Sequence, residues 1–480
     1  MASRQGCRIH SAIVVAGICV LAMAAACLSG ARADDRAGAV RLPVATLRPG
    51  EMYFRMDGTP RFLLGRNPTG WQTSQFEPLL RWAHESGEGL IRVHLTAGMV
   101  PHAAAGQVDE AWARKWDEVL NLAAENGLHV LPVFGVWADW NDGTRGETWH
   151  QWEANPYNAA HGGPAKAPAE LLKDTACRRE WLAWMAAMVA RWRERPEVIG
   201  WEVFSELDLL SGATEEAAVE FMRTAASVVR ATDPKRRPVT ASLAGTNEWP
   251  KLFASDSVDL VQVHPYADLP PYKGELSALI LDCVRQRRER YYKPVLIGEC
   301  GLDARPPEGT LAMAAGAVTE VNQAIWAALV SGAANGRMLW WEDGYDQYYP
   351  GLDLRSAYKG ASAPAARFAA KVDFTGFKPV VVRSADGLRG AAIGNATCIV
   401  GWFKDVRCVP PKWPSERLTG RQVTLAAAGN AAAWRAEFCD PRSGAAVGTA
   451  DVRRQGNRLD VFLPAFTSSI AFVLTASAGD

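Results

Sequence analysis

The chain carries no net charge: Lys plus Arg and Asp plus Glu number 52 each over 480 residues. That balance removes the field that draws a protein to nucleic acid or to an anionic membrane surface. Cysteine is sparse, nine in all, with no C-x-x-C pair and no His/Cys grouping at metal-ligand spacing, so the common zinc-site patterns are excluded. No Gly-rich turn follows an early apolar strand, so the phosphate cradle of a doubly wound dinucleotide-binding sheet is missing. Beyond residue 28 no uncharged apolar run reaches the length of a membrane span. What remains is an ordinary globular composition, 48% hydrophobic and 22% charged, on a chain long enough for more than one domain.

What the chain has in plenty is tryptophan, 19 residues. Much of it is expected in the core, but indole also stacks on the flat C–H faces of sugar rings, which leans the ligand toward carbohydrate. At the N-terminus Arg4 and Arg8 precede the apolar run 11–28, and the small residues Ala31 and Ala33 follow. This pattern predicts a secretory signal peptide over 1–33, a mature chain from Asp34 and a secreted or periplasmic location. An uncleaved anchor and a lipoprotein attached at Cys27 are the alternatives; Ala24 stands where a lipobox normally carries Leu. Cys177, Cys283, Cys300, Cys398, Cys408 and Cys439 remain after cleavage. Export permits their oxidation, and Cys398 with Cys408 is a candidate pair.

From about residue 60 to 345 short apolar strands alternate with amphipathic helices. Strands are expected at 61–67, 90–96, 128–137, 197–206, 237–244, 258–266, 293–300 and 336–343. Helical spacing is clearest in "DEAWARKWDEVLNLAAENG", where Trp112, Trp116, Val119, Leu120 and Ala123 share a face and Gly127 stops it. Eight strands joined mostly by helices predict a (β/α)8 TIM barrel over 60–374. After "AAARFAAKVDF" the texture becomes short alternating runs separated by Gly, Pro, Asp and Asn, which predicts a small all-β sandwich over 375–480. Residues 34–59 are an N-terminal extension or lid strand.

In such a barrel the reacting groups sit at the C-terminal ends of the strands, so a polar residue closing an apolar strand is the signal. "GWEVFSE" ends on Glu206, "VLIGE" on Glu299 and "VQVHPY" on His264 and Tyr266, while "MLWWED" ends on Trp340, Trp341, Glu342 and Asp343. By strand count these are strands four, seven, six and eight, and strand two holds Arg92. Two carboxylates at one mouth suit glycosidic bond cleavage, one protonated to donate to the leaving oxygen and one ionised to attack the anomeric carbon. A cation such as Arg92 and a hydroxyl such as Tyr266 favour the ionised form of Glu299.

These strings, in this order, resemble a clan A glycoside hydrolase, similar to the family 5 cellulases and mannanases. The likeness covers roughly residues 60–370, with "RPEVIGWEVFSELD", "KPVLIGECGLD", "VHPY", the strand-two Arg and the strand-eight Trp. It implies Glu206 as acid/base, Glu299 as nucleophile, Arg92 and Tyr266 as neighbours of the nucleophile, His264 as a subsite residue, and Trp341, or else Trp340, as a sugar platform. It implies no cofactor, a carbohydrate substrate of the mannan or glucan type, and no obligate protein partner. The sequence departs from the family at three places. Ser205 stands where the family carries Asn, the residue that meets the sugar 2-hydroxyl, and Leu207 replaces a usual Pro. The end of strand three lacks the family's His and offers Trp137, Asp139, Trp140 and Asn141 instead. These departures leave the sugar open, and a barrel that binds sugar without turnover, or a transglycosylase on the same carboxylates, stays an alternative. Each residue also has a plain structural use: Arg92 as any acid's partner, His264 as a satisfied core histidine, and Glu342 and Asp343 as rim or sugar-hydroxyl groups; Asp208, Asp303 and the 138–168 loop are candidate subsite walls.

Overall fold

Parallel strands covered on both faces by other layers read as continuous apolar runs, and the eight strands of the first domain are buried along their length. They are β1 (Leu63–Arg66), β2 (Leu90–His94), β3 (His129–Val136), β4 (Trp201–Ser205), β5 (Val239–Thr240), β6 (Val261–Val263), β7 (Val295–Ile297) and β8 (Asn335–Gly336). The computed structural model describes residues 41–477 apart from 49, 69–72, 97–103, 145–149, 305–310, 312–313, 315, 342–357, 359, 414 and 428. The expected signal segment, Glu342 and Asp343 lie outside the described residues. In one sheet the order is β8-β1-β2-β3-β4-β5, with β6 paired to β7. Two seams close the circle: the Asp259 N–H donates to Val239 O, and the Cys300 N–H donates to Met338 O. The result is a (β/α)8 barrel.

The outer ring comprises α1 (Thr73–Glu85), α2 (Glu110–Glu125), α3 (Ala176–Trp192), α4 (Glu215–Thr232), the short α5 (Pro250–Ala254), α6 (Leu276–Tyr291), α7 (Ala317–Ser331) and α8 (Ser362–Ala369). The predicted stripe of α2 is the buried one, and Asp109 caps it by accepting from the Ala111 and Trp112 amides. Trp184 of α3 packs on Trp112 and Phe134, and Phe134 stacks on Trp201. Much of the tryptophan is therefore core: Trp181, Trp184, Trp192, Trp201, Trp326, Trp402 and Trp434 are all fully buried. Gly135 lets β3 meet β4, because a Cβ there would fall 2.4 Å from Phe204 Cδ2.

The extension before the barrel is a small antiparallel sheet of Ala45–Thr46, Phe54–Met56 and Thr59–Arg61. It is not a lid over the strand ends. Tyr53 packs on Phe62, at the start of β1, and Met52 lies beside Gly332 past the end of α7, so this piece covers the N-terminal end of the barrel.

The last hundred residues form a nine-stranded antiparallel sheet folded over its own core. Strand Ala446–Gln455 makes the fold, pairing first with Ala433–Cys439 and, through its last two residues, with Arg458–Leu463. In strand Cys398–Asp405 the side chains alternate. Ile399 and Phe403 enter the sandwich core, while Val400 and Trp402 join the barrel's own core cluster. Helix α7 is covered between barrel and sandwich, so it is buried nearly all round, as its sequence "AVTEVNQAIWAALVS" requires.

That contact holds one buried ion pair. Lys404 Nζ lies 3.1 Å from Glu320 Oε2 and donates to Ser277 Oγ, and the Ser277 amide and hydroxyl donate to Glu320 Oε1 at 2.8 and 2.6 Å. No disulfide is formed by the six described cysteines. Cys398 opens a strand and Cys408 follows its end, so a run of extended residues at roughly 3.3 Å each separates them. A bridge tolerates a Cα separation of only about 7 Å.

Lys404→Met, which leaves Glu320 buried without its cation, is expected to cost about 3 kcal/mol. Chemical denaturation followed by tryptophan fluorescence would read it, and a midpoint equal to wild type would contradict the assignment.

Candidate active site

Inside the barrel the centre is a cation. Arg92 of β2 has no solvent exposure, and a buried guanidinium must have its N–H groups met. Glu202 of β4 takes two of them, from Nε at 2.7 Å and Nη2 at 2.8 Å. Nη2 also donates to Ser205 Oγ at 2.8 Å, and Nη1 donates to Glu299 Oε1 at 2.9 Å and Asn67 Oδ1 at 3.3 Å. Asn67 follows β1 and is itself fixed by donating to the Gly298 and Met338 carbonyls, each at 3.1 Å. One guanidinium thus ties the ends of β1, β2, β4 and β7 together.

Glu206 leaves β4 on a left-handed backbone, with φ +55, a conformation that non-glycine residues hold only when their surroundings impose it. The constraint is visible: the Glu206 amide donates to Ser242 Oγ at 3.0 Å, and the Leu207 amide donates to the Ser242 carbonyl. The turn aims Glu206 across the mouth. His264 Nδ1, just past β6, lies 2.9 Å from Glu206 Oε1 and 3.6 Å from Glu299 Oε2. Tyr266 donates its hydroxyl proton to Glu299 Oε2 at 2.7 Å. Gly298, before Glu299, makes room for this: a Cβ there would fall 2.7 Å from His264 Nε2 and 2.3 Å from Gln262 Nε2.

One oxygen from each Glu and His264 Nδ1 therefore all lie within 4.8 Å of one another. Among the described residues this is the one grouping close enough to ligate an ion, but the guanidinium already supplies positive charge to Glu299. The two carboxyls are pushed apart in acidity. Burial would raise Glu299, yet the His264 and Arg92 charges and the Tyr266 hydrogen bond bring it down to about 2. Burial raises Glu206, and the neighbouring Glu299 charge adds to this against the lowering pull of His264. Burial opposes a charge on His264, but Glu299 and the hydrogen bond to Glu206 raise its pKa. His94, 3.8 Å from Glu299, is held well below its ordinary pKa by burial and by the Arg92 charge, so it stands there as a neutral ring.

Residues 57–342 match the sequence model of the cellulase family, glycosyl hydrolase family 5, over more than half of the chain. The chain belongs to glycoside hydrolase family 5. It is an O-glycosyl hydrolase. A solved family 5 glycoside hydrolase from Bacteroides vulgatus is 14% identical with a TM-score of 0.63, covering 92% of this chain and 96% of the other. A second solved structure, described as a glycoside hydrolase, gives 0.65 at 14% identity over 92% and 99%. An endo-1,4-β-mannanase from Rhizomucor miehei gives 0.52 at 12% identity, covering 68% of this chain and 99% of that one. No curated protein matches the chain by sequence.

The remaining expected residues of this family 5 hydrolase divide by position. Ser205 is buried beneath Glu206, its oxygen engaged by Arg92. Trp340 is half-buried and sets its ring edge-on to His94 at 4.9 Å, next to Glu299, whereas Trp341 is buried at 7% exposure. Both tryptophans lie past the end of β8, and their rings meet edge to face with centroids 6.4 Å apart. Trp137 begins a short 3-10 turn after β3 and is partly exposed. Trp140 is packed between Trp152 and Tyr157, and the carbonyl of Asp139 accepts from Asn155, so both build the loop itself. Asp208 accepts from the Ala244 amide and from Asn247, and Asp303 from the Leu311 amide; they pin loops.

Sequence reasoning missed Glu202, Asn67, His94 and Ser242. Glu202 had a signal: a charged residue inside "GWEVFS" cannot be buried unless something pays it back in charge. His94 lies two residues beyond Arg92, hence on the same face of β2.

Arg92→Leu would leave two buried carboxylates without their cation. A loss of about 3–5 kcal/mol is expected, together with a rise in the Glu299 pKa. Thermal unfolding reads the first effect, and NMR titration with labelled glutamate reads the second. A Glu299 pKa still near 2 would contradict the role given to Arg92.

Proposed function

We propose that this hydrolase cleaves β-linked glycans of the mannan or glucan type with retention of configuration, Glu206 serving as acid/base and Glu299 as nucleophile. The observation that carries the reading is the pairing of two carboxylates from β4 and β7, with oxygens within 4.8 Å and their pKa values moved in opposite directions. Retaining enzymes hold their carboxyls about 5–5.5 Å apart, whereas inverting enzymes leave room for a water between them. Glu206 keeps 13% of its side chain open to solvent and Glu299 7%, so both are within reach of a substrate entering the mouth.

In the first step an ionised Glu299 oxygen attacks C1 of the sugar as the C1–O glycosidic bond breaks. The Glu206 proton passes to the leaving oxygen. In the second, water attacks C1, gives its proton to Glu206, and frees Glu299. Arg92 and Tyr266 hold one Glu299 oxygen each, which orients the nucleophile and lowers its pKa at some cost in nucleophilicity. Trp340 meets His94, which lies 3.8 Å from Glu299, and offers an indole for the apolar face of the sugar bound there. The name of the Rhizomucor miehei neighbour, an endo-1,4-β-mannanase, supports testing mannans first on a substrate panel and glucans second.

The test is hydrolysis of a polysaccharide and aryl-glycoside panel by wild type and Glu299→Gln. A loss of about 10³-fold or more is expected, with a fluoro-sugar inactivator labelling Glu299 in wild type; equal rates would overturn the assignment. The pH dependence follows from the two shifts. Glu299 must be ionised, so kcat/KM falls only as pH drops toward 2, while Glu206 must be protonated, so it falls again as pH rises through a pKa above the usual carboxyl value. In Glu206→Gln, aryl glycosides with good leaving groups should lose that upper limb; its persistence would assign it to another group.

A further inference from the structure

The two loops that carry Tyr266 and Glu299 are held from outside the barrel. The sandwich segment 406–413 reaches past α6 and α7 to the mouth side. Its Cys408 is fully buried and accepts from Gln323 of α7 at 3.2 Å. Pro410 lies against Gly274 in the loop after β6, so closely that a Cβ on Gly274 would fall 2.2 Å from Pro410 Cγ. Trp413 lies against Gly316, at the end of the loop after β7, where a Cβ would fall 2.5 Å from Trp413 Cβ. A second sandwich residue holds the same β6 loop. Arg389 donates to Asp282 Oδ2 at 2.5 Å, the Tyr272 hydroxyl donates to that same oxygen at 2.7 Å, and the guanidinium lies 5.9 Å from the Tyr272 ring centroid.

From Gly274 a short chain of backbone bonds leads to the carboxylate. The Gly274 amide donates to Ala267 O at 2.7 Å, the Ala267 amide to Gly301 O at 3.0 Å and the Gly301 amide to Pro265 O at 3.2 Å. Tyr266 sits inside that ladder, bridged to Gly301, and its hydroxyl holds Glu299.

We propose that the C-terminal sandwich is a positioning part of the catalytic mouth: Pro410 and Arg389 brace the β6 loop, and through it set the Tyr266–Glu299 hydrogen bond. This rests on the roles given above to Glu299 and Tyr266. A sandwich that served only to cover α7 would need the contacts of Val400, Trp402 and Lys404, but not a segment seated on the two mouth loops. Pro410, Trp413 and Arg389 are positioning residues, since none of them touches the reacting atoms.

The test uses the full chain with Pro410→Ala and Arg389→Met, the first a small truncation and the second a partly exposed side chain. Hydrogen exchange read by mass spectrometry does not depend on turnover. Peptides over 264–275 should exchange about ten-fold faster in both variants, with 201–206 unchanged. In kinetics, kcat/KM should fall about ten-fold, mostly in kcat, with the acid limb moved to higher pH. In a Tyr266→Phe background the same substitutions should cost less than about two-fold, because the bond they adjust is already gone. Unchanged exchange over 264–275 would overturn the brace, and so would an undiminished kinetic loss in the Tyr266→Phe background. A wild type that turns over nothing on the panel would instead sink the functional reading, while exchange would still decide whether the sandwich holds the loop.

Discussion

A guanidinium sealed in the middle of a barrel is the constraint from which the site follows. Moving such a charge out of water costs more than any single hydrogen bond returns, so the fold must surround Arg92 with acceptors. Glu202 supplies a bidentate partner, and Ser205 and Asn67 supply neutral ones. The donor left over points at the mouth and is met by Glu299. The network that makes the buried cation tolerable therefore also fixes an anion where chemistry needs one. The strain at Glu206 belongs to the same network, because Ser242, which receives its amide, donates its own proton to Glu202.

Two residues of one type acquire opposite character within a few ångströms. Glu299 meets the His264 charge, a permanent cation and a phenol; Glu206 meets the same imidazole together with the repulsion of Glu299 and Asp208. The difference in acidity is set by what surrounds each strand end, since the two side chains are of the same type.

Glu206, Glu299, His264 and Tyr266 were legible because each closes an apolar strand, and in a barrel the strand ends share one rim. Arg92 was legible as a charge in a strand and as the neighbour of Glu299, but its bidentate partner was not. Glu202 gains meaning only when β2 and β4 are seen to face each other across the interior. Asn67 and Ser242 are short polar residues of common types, and nothing local marks them. The sandwich was readable from alternation except at Ala446–Gln455, whose "AVGTADVRRQ" is small and polar because most of its side chains are at least partly exposed. The two-residue strands β5 and β8 were expected longer, since buried apolar sequence continues past the last ladder bond. Nothing in the sequence told that Trp340 would meet His94, because the two adjacent indoles are the same residue type past the end of a strand.

Helix α7 gives the division of the chain a different meaning. It belongs to the barrel by connectivity, yet its outer side is covered by the sandwich, with Trp326 donating to the carbonyl of Pro441 and Asn322 to the same oxygen. A helix apolar on every side has no solvent face to fall back on. The border near residue 375 is thus one of topology. Thermodynamically the two parts share a helix, so taking the sandwich away would open the apolar outer side of α7 to water. Any shuffling of modules in this protein would have to carry barrel and sandwich together.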